Sequence, residues 1–317
     1  VPALTVNRIC GSGIQSLVNA AQMMMLDEAD TCVAGGMENM SQAPFCIYGN
    51  KVRAGIRFGQ EPKMTDYLFS GLHDSYSDTF MAETADRAAR ETGIRREDCD
   101  AYALRSHMLG AKAVESGVFA EEIAPVVIPG RRGDIVVDKD DHIKPQTTLE
   151  GLAKLRPAFG KEGLVTAGNA SGIVDGAAAL VLGTDKAVKA HGVRARAVIR
   201  GWSIVGVEPG VMALGPVPAI RALWEKTGVG RDDVDLYEIN EAFAPQYLAC
   251  EKQLELDRDR VNVNGGAIAL GHPLGATGTR MVLTLLHELE RRKGRYGVAS
   301  ACIGGGQGIA MLIERID

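Results

Sequence analysis

Apolar and polar positions follow two periods along this chain. Residues 1–9 are β-branched and apolar and read as a strand. Cys10-Gly11-Ser12-Gly13 interrupts them. Ile14, Leu17, Val18 and Ala21 then recur at helical spacing, with Gln15, Ser16, Asn19 and Gln22 opposite. Residues 31–34 read as a buried strand stopped by Gly35-Gly36. From about residue 41 to 173 the texture is polar and irregular. Helices are predicted over 78–92 and 96–116, the second with Ala101, Leu104, Met108 and Ala111 on one face, and 129–146 reads as a charged, solvated loop. The α/β pattern resumes at 177–182 and 195–207, and 234–239 forms a strand running into Asn240-Glu241. A long small-residue loop is predicted over 265–278. It precedes a helix with Val282, Leu285, Leu286 and Leu289 on one face, and strands at 298–302 and 309–313. The order small-residue loop, amphipathic helix, strand, Gly-Gly occurs at residues 10–36 and again at 272–305, which fits a fold of two similar halves.

Composition narrows the class. The 317 residues are 46% hydrophobic and 24% charged, enough for two cores. A net charge of −5 with no basic block gives no reason for a nucleic-acid partner. No apolar run approaches the ~18–20 residues that span a bilayer, so no membrane is expected, and no signal peptide opens the chain. The chain starts at Val1-Pro2-Ala3 inside a predicted strand, so it is expected to lack its own N-terminus together with any targeting segment there. None of the six cysteines forms a C-x-x-C pair, which argues against zinc, thioredoxin chemistry and a disulfide scaffold. Free thiols in a reducing, cytoplasmic setting follow, with Cys32, Cys46, Cys99 and Cys250 as small buried hydrophobes. The 38 glycines, about 12% against a usual ~7%, cluster in short loops and mark tight turns or close approach to a ligand.

Four positions suggest chemistry. Cys10 lies between strand and helix, where the helix dipole and free N–H groups favour the thiolate; the alternative is a buried structural cysteine. Of the six histidines, His272 alone sits inside a glycine-rich loop, as a general base or a turn cap. Cys302 ends a strand before Ile303-Gly304-Gly305-Gly306-Gln307-Gly308, whose N–H groups suit an oxyanion hole. Asn240 closes a strand and holds either a water, a carbonyl or a turn. Neither glycine loop completes a nucleotide-binding pattern.

Together, Asn7-Arg8-Ile9-Cys10-Gly11-Ser12-Gly13, Thr166-Ala167-Gly168-Asn169-Ala170-Ser171-Gly172, Asn240-Glu241-Ala242-Phe243-Ala244, Gly271-His272-Pro273-Leu274-Gly275 and the Cys302 loop resemble the thiolase family in kind and order, from Val1 to the C-terminus. The family's first several tens of residues are missing. The resemblance implies an α/β fold of two similar halves in five layers with an inserted loop domain. Residues 1–42 and 174–194 would belong to the first half, 43–173 to the loop domain and 195–317 to the second half. It further implies that Cys10 is acylated, that His272 activates it, and that Cys302 exchanges the proton with the α-carbon or the coenzyme A sulfur. Asn240, through a water, and His272 match one oxyanion hole; the N–H groups of Cys10 and Gly304 match the other. Ala167, Ser171 and Phe159 match positions that line pantetheine, and Leu72, Met81, Ala242 and Phe243 match the pocket wall. Acyl-CoA and coenzyme A are the expected substrates, with no metal or cofactor and a homodimer or homotetramer. Short-chain biosynthetic members carry His-Met-Gly where this chain has Phe80-Met81-Ala82. Residues 145–150 and 215–220 also resemble the 3-ketoacyl-CoA thiolases of fatty-acid β-oxidation, favoured here over an acetyl-CoA acetyltransferase. A ketoacyl synthase would not need Cys302, a lipid-binding relative would not need the intact set, and an NAD-dependent dehydrogenase lacks its fingerprint.

Overall fold

The computed structural model describes residues 1–316. Strand β1 (Thr31–Glu38) pairs antiparallel with β2 (Gly176–Gly183), Thr31 opposite Gly183. A second sheet holds β3 (Ala197–Gly206), β4 (Leu236–Ile239), β5 (Tyr296–Ile303) and β6 (Gln307–Arg315) in the order β4-β5-β6-β3. Only β4 and β5 run parallel. Strands β4, β5 and β6 are apolar almost throughout because both their faces are covered.

Helices α1 (Ser12–Met25) and α6 (Leu274–Arg292) form the middle layer. Helix α6 touches β1 and β2 on one side and β5 on the other. Ile14, Leu17, Val18, Met281, Val282 and Leu285 fill this layer. On the far face of the larger sheet lie α4 (Pro216–Thr227) and α5 (Ala244–Leu254), with Ile220, Leu223, Tyr237, Tyr247 and Val298 packed between. Four layers therefore follow in order: helix, sheet, helix, sheet. The outward face of β1–β2 leaves Val33, Met37 and Val181 at 75%, 75% and 74% exposure. Between β1 and β2 the chain makes α2 (Met81–Glu91), α3 (Arg96–Glu115) and short ladders.

Four expectations are corrected. Residues 1–8 carry no strand, since a β-prone segment needs a paired neighbour to become one. Residues 265–278 are not one loop, because α6 starts at Leu274. Their glycines serve close packing: a Cβ on Gly36 would lie 1.8 Å from the Gly275 carbonyl oxygen, and one on Gly13 would lie 2.5 Å from the Thr279 nitrogen. Within 129–146, Ile135–Val137 pairs with Val126–Ile128 as an exposed hairpin. Of the four cysteines expected to be buried, Cys99 and Cys250 are, while Cys32 and Cys46 are half-buried.

Candidate active site

Cys10 sits in a single helical turn, Ile9–Gly11, that runs into α1. Ile9 is β-branched yet has φ 48°, a strained conformation that the surroundings must enforce. They do so with hydrogen bonds. Ile9 N–H donates to Asn7 Oδ1 at 2.9 Å, Arg8 N–H to Ser12 Oγ at 2.8 Å, and Ser12 Oγ–H to the Ile9 carbonyl at 2.7 Å. The Arg8 guanidinium then bridges Gln15 Oε1 at 2.7 Å and Gln307 Oε1 at 2.6 Å. It thereby ties the Cys10 turn to the loop after Cys302. In that loop Gly305 and Gly306 have φ 80° and 82°, which suits glycine alone. The backbone N–H groups of Gly304 and Cys10 are aimed at the Cys10 sulfur.

Cys302 is buried at the end of β5, against Met81, Met212 and Ala242, with Phe243 packed on the cluster. His272 lies just before α6 and is 5% exposed. Its backbone N–H donates to Gly172 O at 3.0 Å. Its ring contacts Asn240 Nδ2 through Nε2 at 3.2 Å and Thr277 Oγ1 through Nδ1 at 2.7 Å. Asn240 Oδ1 is buried with no partner among the described residues.

Around this centre stand the other expected positions. Ser171 N–H donates to Ala242 O at 3.0 Å, and Met81 N–H to Leu72 O at 3.0 Å. The Phe80 ring lies 4.8 Å from Phe69, 4.9 Å from His73 and 4.9 Å from Phe159, centroid to centroid. Ala167 is exposed at the surface of its loop. Cys10 with Gly304, Asn240 with His272, Cys302 with Met81 and Ala242, and Ser171 with Ala242 are thus brought together, from segments up to some three hundred residues apart.

The protonation states differ from the expectation for Cys10. Burial pushes its thiol up to about 12; the Gly304 and Cys10 N–H groups pull the other way, and Glu38 adds to the rise. The resting group is a thiol, and the helix terminus does not offset burial. Burial, then Arg280, lowers His272 to about 3, so its imidazole is neutral. Burial also holds the Cys302 thiol well above its ordinary value. Among the described residues no group of three or more His, Cys, Asp or Glu side chains is arranged to hold a metal, and no helix is long and apolar enough to cross a membrane.

Reading the sequence missed Arg8, Gln307 and Thr277. Arg8 lies two residues before Cys10, but its distant partner, Gln307, lies beyond the second cysteine. Thr277 had a signal in its spacing of five from His272, across the start of α6.

The family model described as Thiolase, N-terminal domain, matches residues 1–186, and that described as Thiolase, C-terminal domain, matches residues 193–315. The chain is 50% identical to the mitochondrial 3-ketoacyl-CoA thiolase of Homo sapiens over 313 residues, 99% of this chain and 78% of the relative. It is 47% identical to the acetyl-CoA acetyltransferase of Chromobacterium violaceum, covering 99% of this chain and 80% of the relative. The crystal structure of the human mitochondrial 3-ketoacyl-CoA thiolase in complex with CoA superposes with a TM-score of 0.95 at 49% identity, covering 99% of this chain and 78% of that one.

Proposed function

The chain belongs to the thiolase family, and from that premise we propose that it is a 3-ketoacyl-CoA thiolase (acetyl-CoA C-acyltransferase) of fatty-acid β-oxidation, acting through an acyl-Cys10 intermediate. One observation carries the assignment: a half-buried Cys10 whose thiol is aimed at by the Gly304 and Cys10 N–H groups, with a second, fully buried thiol, Cys302, close enough to be raised by it.

In the proposed cycle His272 Nε2 takes the Cys10 proton as the sulfur attacks C3 of a 3-ketoacyl-CoA. The C2–C3 bond breaks. The acyl group stays on Cys10, and the acetyl-CoA enolate takes the Cys302 proton at C2. After acetyl-CoA leaves, the Cys302 thiolate takes the proton of incoming coenzyme A, whose sulfur attacks the acyl thioester. Cys10 departs as thiolate and recovers its proton from His272. The N–H groups of Cys10 and Gly304 serve the tetrahedral oxyanions. Protonated His272 serves the enolate oxygen, together with a water held by the unpartnered Asn240 Oδ1. No cofactor enters this sequence of steps; coenzyme A is a co-substrate.

Residues 43–173 act in this reading as the loop domain, whose Leu72, Met81 and Phe159 face the substrate with Ala167, Ser171, Ala242 and Phe243. The aromatic cluster around Phe80 supports an acyl chain longer than acetyl, since it replaces a polar contact by apolar surface. The second reading, an acetyl-CoA acetyltransferase, is favoured by the Chromobacterium violaceum relative. We place the enzyme in the cytoplasm as a homodimer or homotetramer. The human relative is named as mitochondrial, and fractionation of the source cells separates those compartments. Coenzyme A-dependent cleavage of acetoacetyl-CoA and of a long-chain 3-ketoacyl-CoA tests the function, with Cys10→Ala as control. Cleavage of both, lost in the variant, is expected. A folded protein that cleaves neither would overturn the assignment.

A further inference from the structure

The ring of His272 has two ends, and both are engaged. Thr277 is 1% exposed and lies five residues on, in the first turn of α6. With Pro273 as the residue before the helix, His272 and Thr277 occupy the positions that pack together across a helix start. Here that contact is polar. Thr277 Oγ1 donates its single proton to Pro273 O at 3.1 Å, the backward bond a helical threonine commonly makes. Its lone pair is then left for the His272 Nδ1–H at 2.7 Å. At the other end the Asn240 amide nitrogen, a donor only, faces Nε2 at 3.2 Å. Both contacts ask for the same tautomer.

We propose that Thr277 is a positioning residue that fixes His272 as its Nδ1–H tautomer and so leaves Nε2, which accepts from the Asn240 amide at rest, as the nitrogen that can take the Cys10 proton. The role of that proton transfer rests on the thiolase reading above; the tautomer itself does not. A neutral imidazole has one acceptor nitrogen, so the wrong tautomer presents a donor to a thiol that must lose a proton. A threonine can set this without a charge. A carboxylate at the same place would favour imidazolium in the resting site, whereas the hydroxyl orients the ring and leaves it neutral.

The test uses the whole chain with 15N-labelled histidine and the variants Thr277→Val and Thr277→Ser. The His272 signals are assigned by their absence in His272→Gln. In the wild type, 15N shifts should report Nδ1 protonated and Nε2 bare. Thr277→Val keeps the shape and removes the acceptor. It should give a mixed or reversed tautomer and a kcat for thiolysis about 10- to 100-fold lower, with KM for the acyl-CoA within about twofold. Thr277→Ser should restore the wild-type tautomer. A wild-type His272 protonated at Nε2, or a Thr277→Val enzyme with wild-type kcat and tautomer, overturns the proposal. If the wild type cleaves no 3-ketoacyl-CoA, the functional reading fails, and the 15N shifts still decide whether Thr277 orients the ring.

Discussion

Glu241→Ala tests how the site is held. Glu241 follows Asn240 and is fully buried, and four donors converge on it. Oε1 accepts from Tyr102 Oη–H at 2.6 Å and Asn262 Nδ2 at 3.0 Å; Oε2 accepts from Ser106 Oγ–H at 2.7 Å and Ile268 N–H at 3.1 Å. Tyr102 and Ser106 belong to α3, and Asn262 and Ile268 lie in the segment that leads to His272. One carboxylate thus joins the inserted region, the Asn240 strand end and the His272 turn. Truncation does not orphan all four donors equally. Asn262 Nδ2 keeps Ile239 O at 2.9 Å, and the Ser106 hydroxyl can rotate to a carbonyl of its own helix. Tyr102 Oη–H and Ile268 N–H have no such substitute. Two buried donors at about 1–3 kcal/mol each give a loss of about 4 kcal/mol. Relief of the buried charge offsets part of it. Glu241→Gln keeps the shape but turns a donor toward donors, so about half that loss is expected.

Urea unfolding followed by the fluorescence of Trp202 and Trp224 reads the loss as a lower midpoint at unchanged slope. Wild-type-like stability in Glu241→Ala, within about 1 kcal/mol, would refute the accounting, since water would then have satisfied every donor. A slope that falls with the midpoint would instead show the inserted region detaching before the core.

Three further outcomes are expected. Because burial pushes the Cys10 thiol up to about 12, its alkylation by iodoacetamide should rise about tenfold per pH unit from pH 7 to 10 with no plateau; a plateau near neutrality would indicate a preformed thiolate–imidazolium pair. Cys302→Ala should lower thiolysis about 10²- to 10⁴-fold while Cys10 still alkylates at the wild-type rate, measured by mass spectrometry; loss of both would make Cys302 structural. Phe80→His should lower the long-chain to acetoacetyl-CoA ratio of kcat/KM by about tenfold, and an unchanged ratio would remove the aromatic cluster from the specificity argument.

Helices over 81–91 and 96–115 and strands over 176–183 and 296–303 were legible because apolar spacing reports which face is covered. Residues 265–278 were misread because glycine has two uses that look alike in sequence. In Gly271, φ 91° requires it for a turn; in Gly275 and Gly278, helical backbone requires it for close approach of β1 and α1. Cys10, His272, Cys302 and Asn240 stood out through short motifs, but Arg8–Gln307 and His272–Thr277 depend on where the chain returns. The charge of Cys10 was misjudged on magnitude. A helix terminus contributes about 0.3–1 kcal/mol, up to about 2. A shift from 9.0 to about 12 corresponds to about 4 kcal/mol, so burial wins.

That outcome changes what the neighbours must do. A nucleophile stored as a thiolate needs only a cation beside it. One stored as a buried thiol needs a base that is itself uncharged, or the resting site would hold an isolated buried charge. His272, lowered to about 3, meets that condition, and Cys302, held well above its ordinary value, meets the matching condition for an acid. In the proposed cycle the first half-reaction then begins with a neutral inventory of two thiols and one imidazole, and the second, which starts from acyl-Cys10 with a Cys302 thiolate and a protonated His272, returns the site to it. Charge develops only as bonds change, against the N–H groups of Cys10 and Gly304 or against a histidine that has just gained its proton. Donors fixed before the reaction stabilise such charge without reorganising, so thiolysis and condensation pass through the same set of groups.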